Sequence, residues 1–126
     1  SIHHLGRQFC RKISILSPEE HDEMIGFVSQ LTHCIAVSLM NCTDDHNLVA
    51  YTGDSFRDLT RIARINEDMW TELFLLNRDQ LLKHISQFEV ELDKLKIALN
   101  QSDEETIKDM MRKSTERRAL FDKKEN

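Results

Sequence analysis

Hydrophobic positions along this chain follow two periods, and the change between them falls near Ser17. Over residues 9–16, Phe9, Ile13 and Ile15 fall on one side with Arg11 outward. That loose alternation predicts a single strand. A lone strand cannot satisfy its own backbone donors and acceptors, so it is expected to pair with a sheet elsewhere. After Ser17 the period becomes helical. Met24, Val28, Leu31 and Ile35 lie within about 60° of one another at 100° per residue. Residues 31–40 contain no Asp, Glu, Lys or Arg, which predicts a helix running to about Met40 and buried on most sides.

Punctuation residues divide the remainder. Ser17-Pro18-Glu19-Glu20 is a helix start, with Ser17 as cap, Pro18 in the first turn and Glu20 completing a capping box. Residues 41–53 are polar and turn-rich and read as a loop. Ser55-Phe56-Arg57-Asp58 predicts a second helix, opened by a capping box and running to about Ile65. Asn66 restarts a short helix carrying Met69, Trp70, Leu73 and Phe74, and Asn77, with Gln80 three on, restarts the chain again. Leu81, Ile85, Phe88, Leu92, Leu95 and Leu99 then recur at alternating spacings of four and three. That is an a/d seam suited to packing along another long helix. Ser102-Asp103-Glu104-Glu105 caps a last helix to about Phe121. The expected fold is mainly α, a bundle of five helices preceded by one orphan strand and built for self-association.

Composition narrows the class. At 126 residues, with three Gly and one Pro, the chain suits one helix-rich domain. A net charge of −5 disfavours nucleic acid as partner, because phosphate binding needs a basic surface. No apolar run approaches the roughly 18 residues needed to cross a bilayer, and no signal peptide is visible, so no membrane association is expected. Cys10, Cys34 and Cys42 are odd in number and lack CxxC spacing, which reads as reduced thiols in a cytoplasmic protein. His33, Cys34, Cys42 and His46 match no common zinc spacing, so no metal is expected.

Three constellations could carry chemistry. Asp22 and His33, eleven residues apart, are about 20° apart in azimuth on a regular helix. His33 lies opposite the Met24–Ile35 stripe, so its imidazole must find a partner on a second packed surface or face a cleft; a satisfied core histidine is the plainer alternative. Arg57, Arg61 and Arg64 fall on one face with Asp58 beside them. Such a cluster is either a solvated basic face or an anion site, since Arg is the side chain suited to bidentate carboxylate binding. Trp70, the single tryptophan, reads first as core.

Taken together these segments resemble the prephenate dehydrogenase family. The resemblance is carried by Glu20-His21-Asp22, Ser29-Gln30-Leu31-Thr32-His33, Phe56-Arg57-Asp58-Leu59-Thr60-Arg61-Ile62-Ala63, Met69-Trp70 and Asn77, in order, from about Leu5 to Leu99. It implies a helical dimerisation domain, like the C-terminal domain of 6-phosphogluconate dehydrogenase, over residues 18–126. Residues 1–17 are then the remnant of the last helix and strand of a nucleotide-binding domain. The activity implied is oxidative decarboxylation of prephenate to 4-hydroxyphenylpyruvate, in tyrosine biosynthesis, with NAD or NADP held by that other domain. The catalytic histidine belongs there too, and no GxGxxG turn occurs in this chain. This chain alone is therefore expected to hold no cofactor and to be inactive.

Carried over by position, Arg61 binds a substrate carboxylate, His33 lines the pocket, Asp58 orients Arg61 and Trp70 supports the wall. His21 and Asp22 lie near the domain junction, and the Leu81 to Leu99 seam serves a homodimer. Two positions depart from the family pattern. Gln30 replaces the first histidine of the Ser-His-x-x-His motif, altering a polar contact in the cleft. Thr52-Gly53-Asp54-Ser55 replaces a glycine run, and Asp54 adds a negative charge that the amine of arogenate would meet more comfortably than prephenate would. Arogenate is thus the alternative substrate. A non-enzymatic helical interaction or regulatory module, such as a phosphotransfer bundle with His33 as acceptor, is the alternative from another class.

Overall fold

The computed structural model describes residues 15–122, and among these every regular element is helical. The expected strand over 9–16 falls outside the described residues except for Ile15 and Leu16, which carry no regular structure; the expected remnant helix over 1–6 also falls outside them. We number the helices α1 (Pro18–Ile25), α2 (Thr32–Asn41), α3 (Asp54–Thr60), α4 (Glu67–Leu76), α5 (Arg78–Asn100) and α6 (Glu104–Ala119). A π-helical segment, Gly26–Leu31, joins α1 to α2, so that Pro18–Asn41 is one continuous helix of 24 residues. The chain divides between His84 and Ile85 into two compact units.

Helix α1 opens as its sequence dictates. Ser17 Oγ accepts from the Glu20 backbone N–H at 3.1 Å, and Glu20 Oε1 accepts from the Ser17 N–H at 2.9 Å. These bonds hold the Glu20 carboxyl below its usual range. The π segment is not foreshadowed by periodicity. One residue more per turn slips the helix phase by about 100°, so Asp22 and His33 do not share the face that a regular helix would give them.

The slip is stabilised by a buried polar cluster. Gln30, only 4% exposed, donates through Nε2 to the Leu73 carbonyl at 3.3 Å and accepts through Oε1 from Asn77 Nδ2 at 2.8 Å. Asn77 Nδ2 also donates to the Asp22 carbonyl at 2.8 Å. His84, buried as deeply, bonds through Nε2 to the Glu23 carbonyl at 3.0 Å and meets the edge of Phe27 at 5.5 Å between ring centroids. A Cβ on Gly26 would lie 3.1 Å from His84 Cδ2 and 3.2 Å from Asn77 Nδ2. Glycine there lets the start of α5 close against α1. Asn77, at the junction of α4 and α5 where the sequence restarts the helix, is therefore also a tie between helices.

Pro18–Asn41 is long and apolar enough, by length and composition, to cross a bilayer. This corrects the expectation from uninterrupted apolar runs, because Ser29, Gln30, Thr32 and His33 break the run without offsetting its average. The bonds from Gln30 to Leu73 and Asn77 identify it as a packing helix of this unit.

Three further boundaries differ from the sequence reading. The 41–53 loop contains a 3-10 segment, His46–Tyr51, capped by Asp45, whose side chain accepts from the Asn47 N–H at 2.9 Å. Helix α3 starts one residue before Ser55, behind Gly53, without a side-chain cap. It ends at Thr60, where the backbone tightens into a 3-10 turn, Arg61–Ala63. Asn66 does cap α4, accepting from the Met69 N–H at 3.0 Å.

The second unit contains most of α5 and all of α6. Ser102, at φ 51°, provides the left-handed residue that closes α5, and the Asp103 N–H bonds back to the Ala98 carbonyl at 2.9 Å. Asp103 then caps α6 through Thr106, accepting from its N–H at 3.1 Å and its hydroxyl at 2.6 Å. These two bonds hold the Asp103 carboxyl below the usual range. Ala98 is buried, whereas Leu92 and Leu99 of the predicted seam are more than half exposed.

Asn77→Ala removes two bonds and leaves the Gln30 carbonyl oxygen and the Asp22 carbonyl without this donor. It should destabilise the first unit by about 1–3 kcal/mol. Asn77→Asp should cost at least as much, since a carboxylate would face two acceptors. Urea unfolding followed by Trp70 fluorescence measures both; a midpoint unchanged in either variant would remove the tie from the fold.

Candidate functional site

Helices α2 and α4 meet through side chains at helical spacing. On α4 and just beyond it, Trp70, Leu73, Phe74 and Asn77 recur at i, i+3, i+4 and i+7, the spacing of one helix face. The first helix presents Gly26, Gln30 and His33. The imidazole of His33 stacks on the indole of Trp70 with ring centroids 3.8 Å apart and planes 24° apart, and Trp70 meets the edge of Phe74 at 5.7 Å. His33 Nδ1 lies 2.7 Å from the Ser29 carbonyl oxygen. That bond makes Nδ1 the protonated nitrogen of the neutral ring and leaves Nε2 as an acceptor. His33 thus has both a stacking partner and a polar anchor, and remains half-exposed.

One turn beyond His33 on α2, Val37 and then Met40 and Asn41 line an open concavity of about 650 Å³. Its opposite side is formed by Thr60, Arg61, Ala63 and Arg64. Thr60, whose hydroxyl donates to the Phe56 carbonyl at 2.6 Å, holds the last turn of α3. The 3-10 turn that follows places Arg61 and Arg64 at the concavity. Among the described residues no carboxylate forms an ion pair with Arg57, Arg61 or Arg64. The result is a partly apolar hollow with two uncompensated guanidinium groups, suited chemically to an anion with a hydrophobic body.

The other sequence-selected residues are distributed differently. Asp58 is exposed and makes no hydrogen bond or ion pair with Arg61, and Arg57 does not line the concavity. Asp54 borders a separate hollow with Leu48, Tyr51, Gly53 and Phe56. Gly53 has open space where a Cβ would stand. His21 Nδ1 and Asp22 Oδ1 lie 3.6 Å apart on the surface, both more than half exposed. Gln30 belongs to the buried tie with Asn77 and does not face the concavity. Burial pushes the Cys34 thiol up, away from a reactive thiolate. Among the described residues no three His, Cys, Asp or Glu side chains gather to hold a metal. Sequence reasoning overlooked Val37, Met40 and Asn41 as lining residues and held Arg64 only as a member of the basic face. The i+4 and i+8 spacing of Val37 and Asn41 from His33 was the available signal.

A family model described as prephenate dehydrogenase, dimerization domain, matches residues 17–113. Among individual proteins the chain is similar to prephenate dehydrogenase of Bacillus subtilis (34% identical, covering 73% of this chain and 26% of that one). It is also similar to prephenate dehydrogenase of Lactococcus lactis (37% identical, 76% and 28%) and cyclohexadienyl dehydrogenase of Zymomonas mobilis (28% identical, 85% and 39%). The chain thus spans well under half the length of the relatives it matches. Among solved structures, prephenate dehydrogenase from A. aeolicus in complex with hydroxyphenyl propionate and NAD+ aligns with a TM-score of 0.79 at 33% identity. That alignment covers 86% of this chain and 40% of the other. The Synechocystis arogenate dehydrogenase structure shares the fold, with a TM-score of 0.74 at 22% identity over 86% of this chain and 42% of the other. The expected helical fold is therefore the observed one, and the chain belongs to the prephenate dehydrogenase family through its helical dimerization domain.

Proposed function

We propose that this chain supplies the substrate-binding and dimerization part of a nicotinamide-dependent dehydrogenase that converts prephenate to 4-hydroxyphenylpyruvate. The observation that carries this reading is Arg61, a guanidinium without an ion pair among the described residues, lining the concavity beside α2. It occupies the position of the family motif read as a carboxylate ligand. Its planar fork can form two parallel hydrogen bonds to a substrate carboxylate. His33, with Nδ1–H committed to the Ser29 carbonyl, offers Nε2 to a polar group of the substrate. Trp70, by stacking on His33, fixes the imidazole plane, although neither ring lines the concavity of Arg61. Asp58, exposed and unbonded to Arg61, contributes through its charge alone.

Hydride acceptance is the chemistry of NAD or NADP, and we place both the cofactor and the catalytic histidine on a separate nucleotide-binding domain. His21 and Asp22, on the surface of α1, are our candidates for the junction with it. The reading of Asp54 as a contact favouring arogenate loses support, because Asp54 and Arg61 border different hollows. Arogenate nonetheless stays the second reading. One relative is named a cyclohexadienyl dehydrogenase, and both compounds are cyclohexadienes that carry a ring carboxylate. The cytoplasmic assignment is supported by Cys34 and Cys42, both free thiols.

The homodimer is read from α5. Phe88, Leu92 and Leu99 remain exposed along one stripe, the arrangement that a partner helix would cover. Ile85→Asp with Leu92→Asp should convert dimer to monomer or unfolded chain in sedimentation; an unchanged dimer mass would take this stripe out of the interface.

In the two-domain enzyme, Arg61→Ala should weaken substrate binding roughly ten-fold or more, about 1.5–3 kcal/mol, the range for a hydrogen bond to a charged group. Arg61→Lys should recover part of the loss, because an ammonium cannot make the paired bonds. Steady-state kinetics decide this, and near-normal kcat/KM in Arg61→Ala would sink the assignment. The chain by itself should form no NADH from NAD and prephenate or arogenate, even at high protein concentration. Turnover traceable to the pure chain would overturn the placement of hydride chemistry on another domain.

A further inference from the structure

Arg61 and Arg64 stand at the point where the backbone tightens from α3 into the 3-10 turn Arg61–Ala63. Arg64 is the residue that leaves this turn, with extended backbone at φ −79° and ψ 108°, and it lines the same concavity as Arg61, together with Val37, Met40 and Asn41. Arg57, one α-turn earlier, does not. Among the described residues neither guanidinium has an ion pair or a hydrogen bond, and no carboxylate lines the hollow. Two like charges held at one hollow raise each other's energy, and a bound anion relieves that repulsion. One bidentate guanidinium engages both oxygens of a carboxylate and balances its single charge; a second guanidinium at the same hollow carries a charge that a second carboxylate would balance.

We propose that Arg64 is a second carboxylate-binding residue, forming with Arg61 a two-point clamp that selects a dicarboxylate over a monocarboxylate. The inference rests on the reading of Arg61 as a substrate ligand and adds to it a specificity-determining residue outside the motif that carries the family resemblance. Each arginine takes one carboxylate. Val37 and Met40 meet the hydrophobic body between the two carboxylates, and the Asn41 amide offers a neutral donor at the edge.

The test uses the isotopically labelled chain, titrated with prephenate (two carboxylates) and with 4-hydroxyphenylpropionate (one), with Kd values read from NMR shifts of the arginine and Trp70 side-chain N–H groups. The variants are Arg61→Gln, Arg64→Gln and Arg64→Lys. Arg112→Gln, on α6, removes an equal charge from the other unit as a control, and circular dichroism checks each fold. Arg61→Gln and Arg64→Gln should each weaken prephenate roughly ten-fold, the scale of one charge-assisted contact. Only one of the two should weaken 4-hydroxyphenylpropionate, and Arg64→Lys should be intermediate. If Arg64→Gln leaves prephenate unchanged while Arg61→Gln weakens it, the clamp is wrong and the reading of Arg61 stands. If both variants weaken both compounds equally, the arginines share a single carboxylate and the two-point clamp is overturned. If Arg61→Gln leaves prephenate unaffected, or the chain binds neither compound, the reading of Arg61 fails and the clamp with it.

Discussion

Gln30 is a buried amide in a largely apolar helix, and a buried amide is tolerated only when both of its ends are bonded. Asn77 and the Leu73 carbonyl meet that requirement from the end of α4, and much of the first unit follows from it. The same Asn77 amide reaches the Asp22 carbonyl, so one side chain joins a residue before the π segment to one within it. Gly26 lies beneath the tie, where a methyl group would collide with His84 or Asn77. With α4 fixed against the helix at Leu73 and Asn77, Trp70 one turn back is brought onto His33. The geometry of the candidate site is thus set by hydrogen bonds that take no part in any chemistry proposed for it.

Electrostatics near Arg61 contrast with that closed network. Some exposed charges elsewhere are locally paired, as in Lys83 with Glu23 at 3.1 Å and Arg112 with Asp109 at 2.6 Å. Such exposed pairs contribute little to stability, commonly about 0–1 kcal/mol, and other described cations, Arg78 and Lys96 among them, make no ion pair. The cluster at the end of α3 has none among the described residues. Arg61 and Arg64 are exposed and solvated, and two like charges beside a partly apolar hollow raise the local positive potential that attracts an anion.

The core of each unit is small. Leu31, Ala36, Leu81 and Ala98 are the buried hydrophobic residues among those described, while Leu82, Val90, Leu92, Ile97 and Leu99 of α5 stay exposed. Burial of that kind supplies little hydrophobic stabilisation by itself, at about 25 cal/mol per Å² of apolar surface. A family description of dimerization accords with such a surface, since association covers apolar area that the isolated chain leaves in water and couples stability to concentration.

The sequence by itself determined the helical class, the capping box at Ser17, the Asn66 and Asp103 helix starts and the segment carrying Arg61. Each depends on residues within four positions of one another, where local hydrogen bonds and helical periodicity decide the outcome. Family resemblance at Phe56 to Ala63 added the functional reading, which no periodicity contains. Only the tertiary structure decided the phase of the first helix, because the π segment is held by Asn77, 47 residues beyond Gln30. It placed Gln30 in a buried tie, gave Asn77 a cross-link in addition to its place at the helix junction, took Asp22 off the face of His33, and set Asp54 and Arg61 at different hollows. It also separated Arg64, which lines the concavity with Arg61, from Arg57, which does not, although their spacing puts all three on one face. Side chains with several donors and acceptors satisfy whichever partners the fold brings near, so their roles become fixed only when distant helices pack.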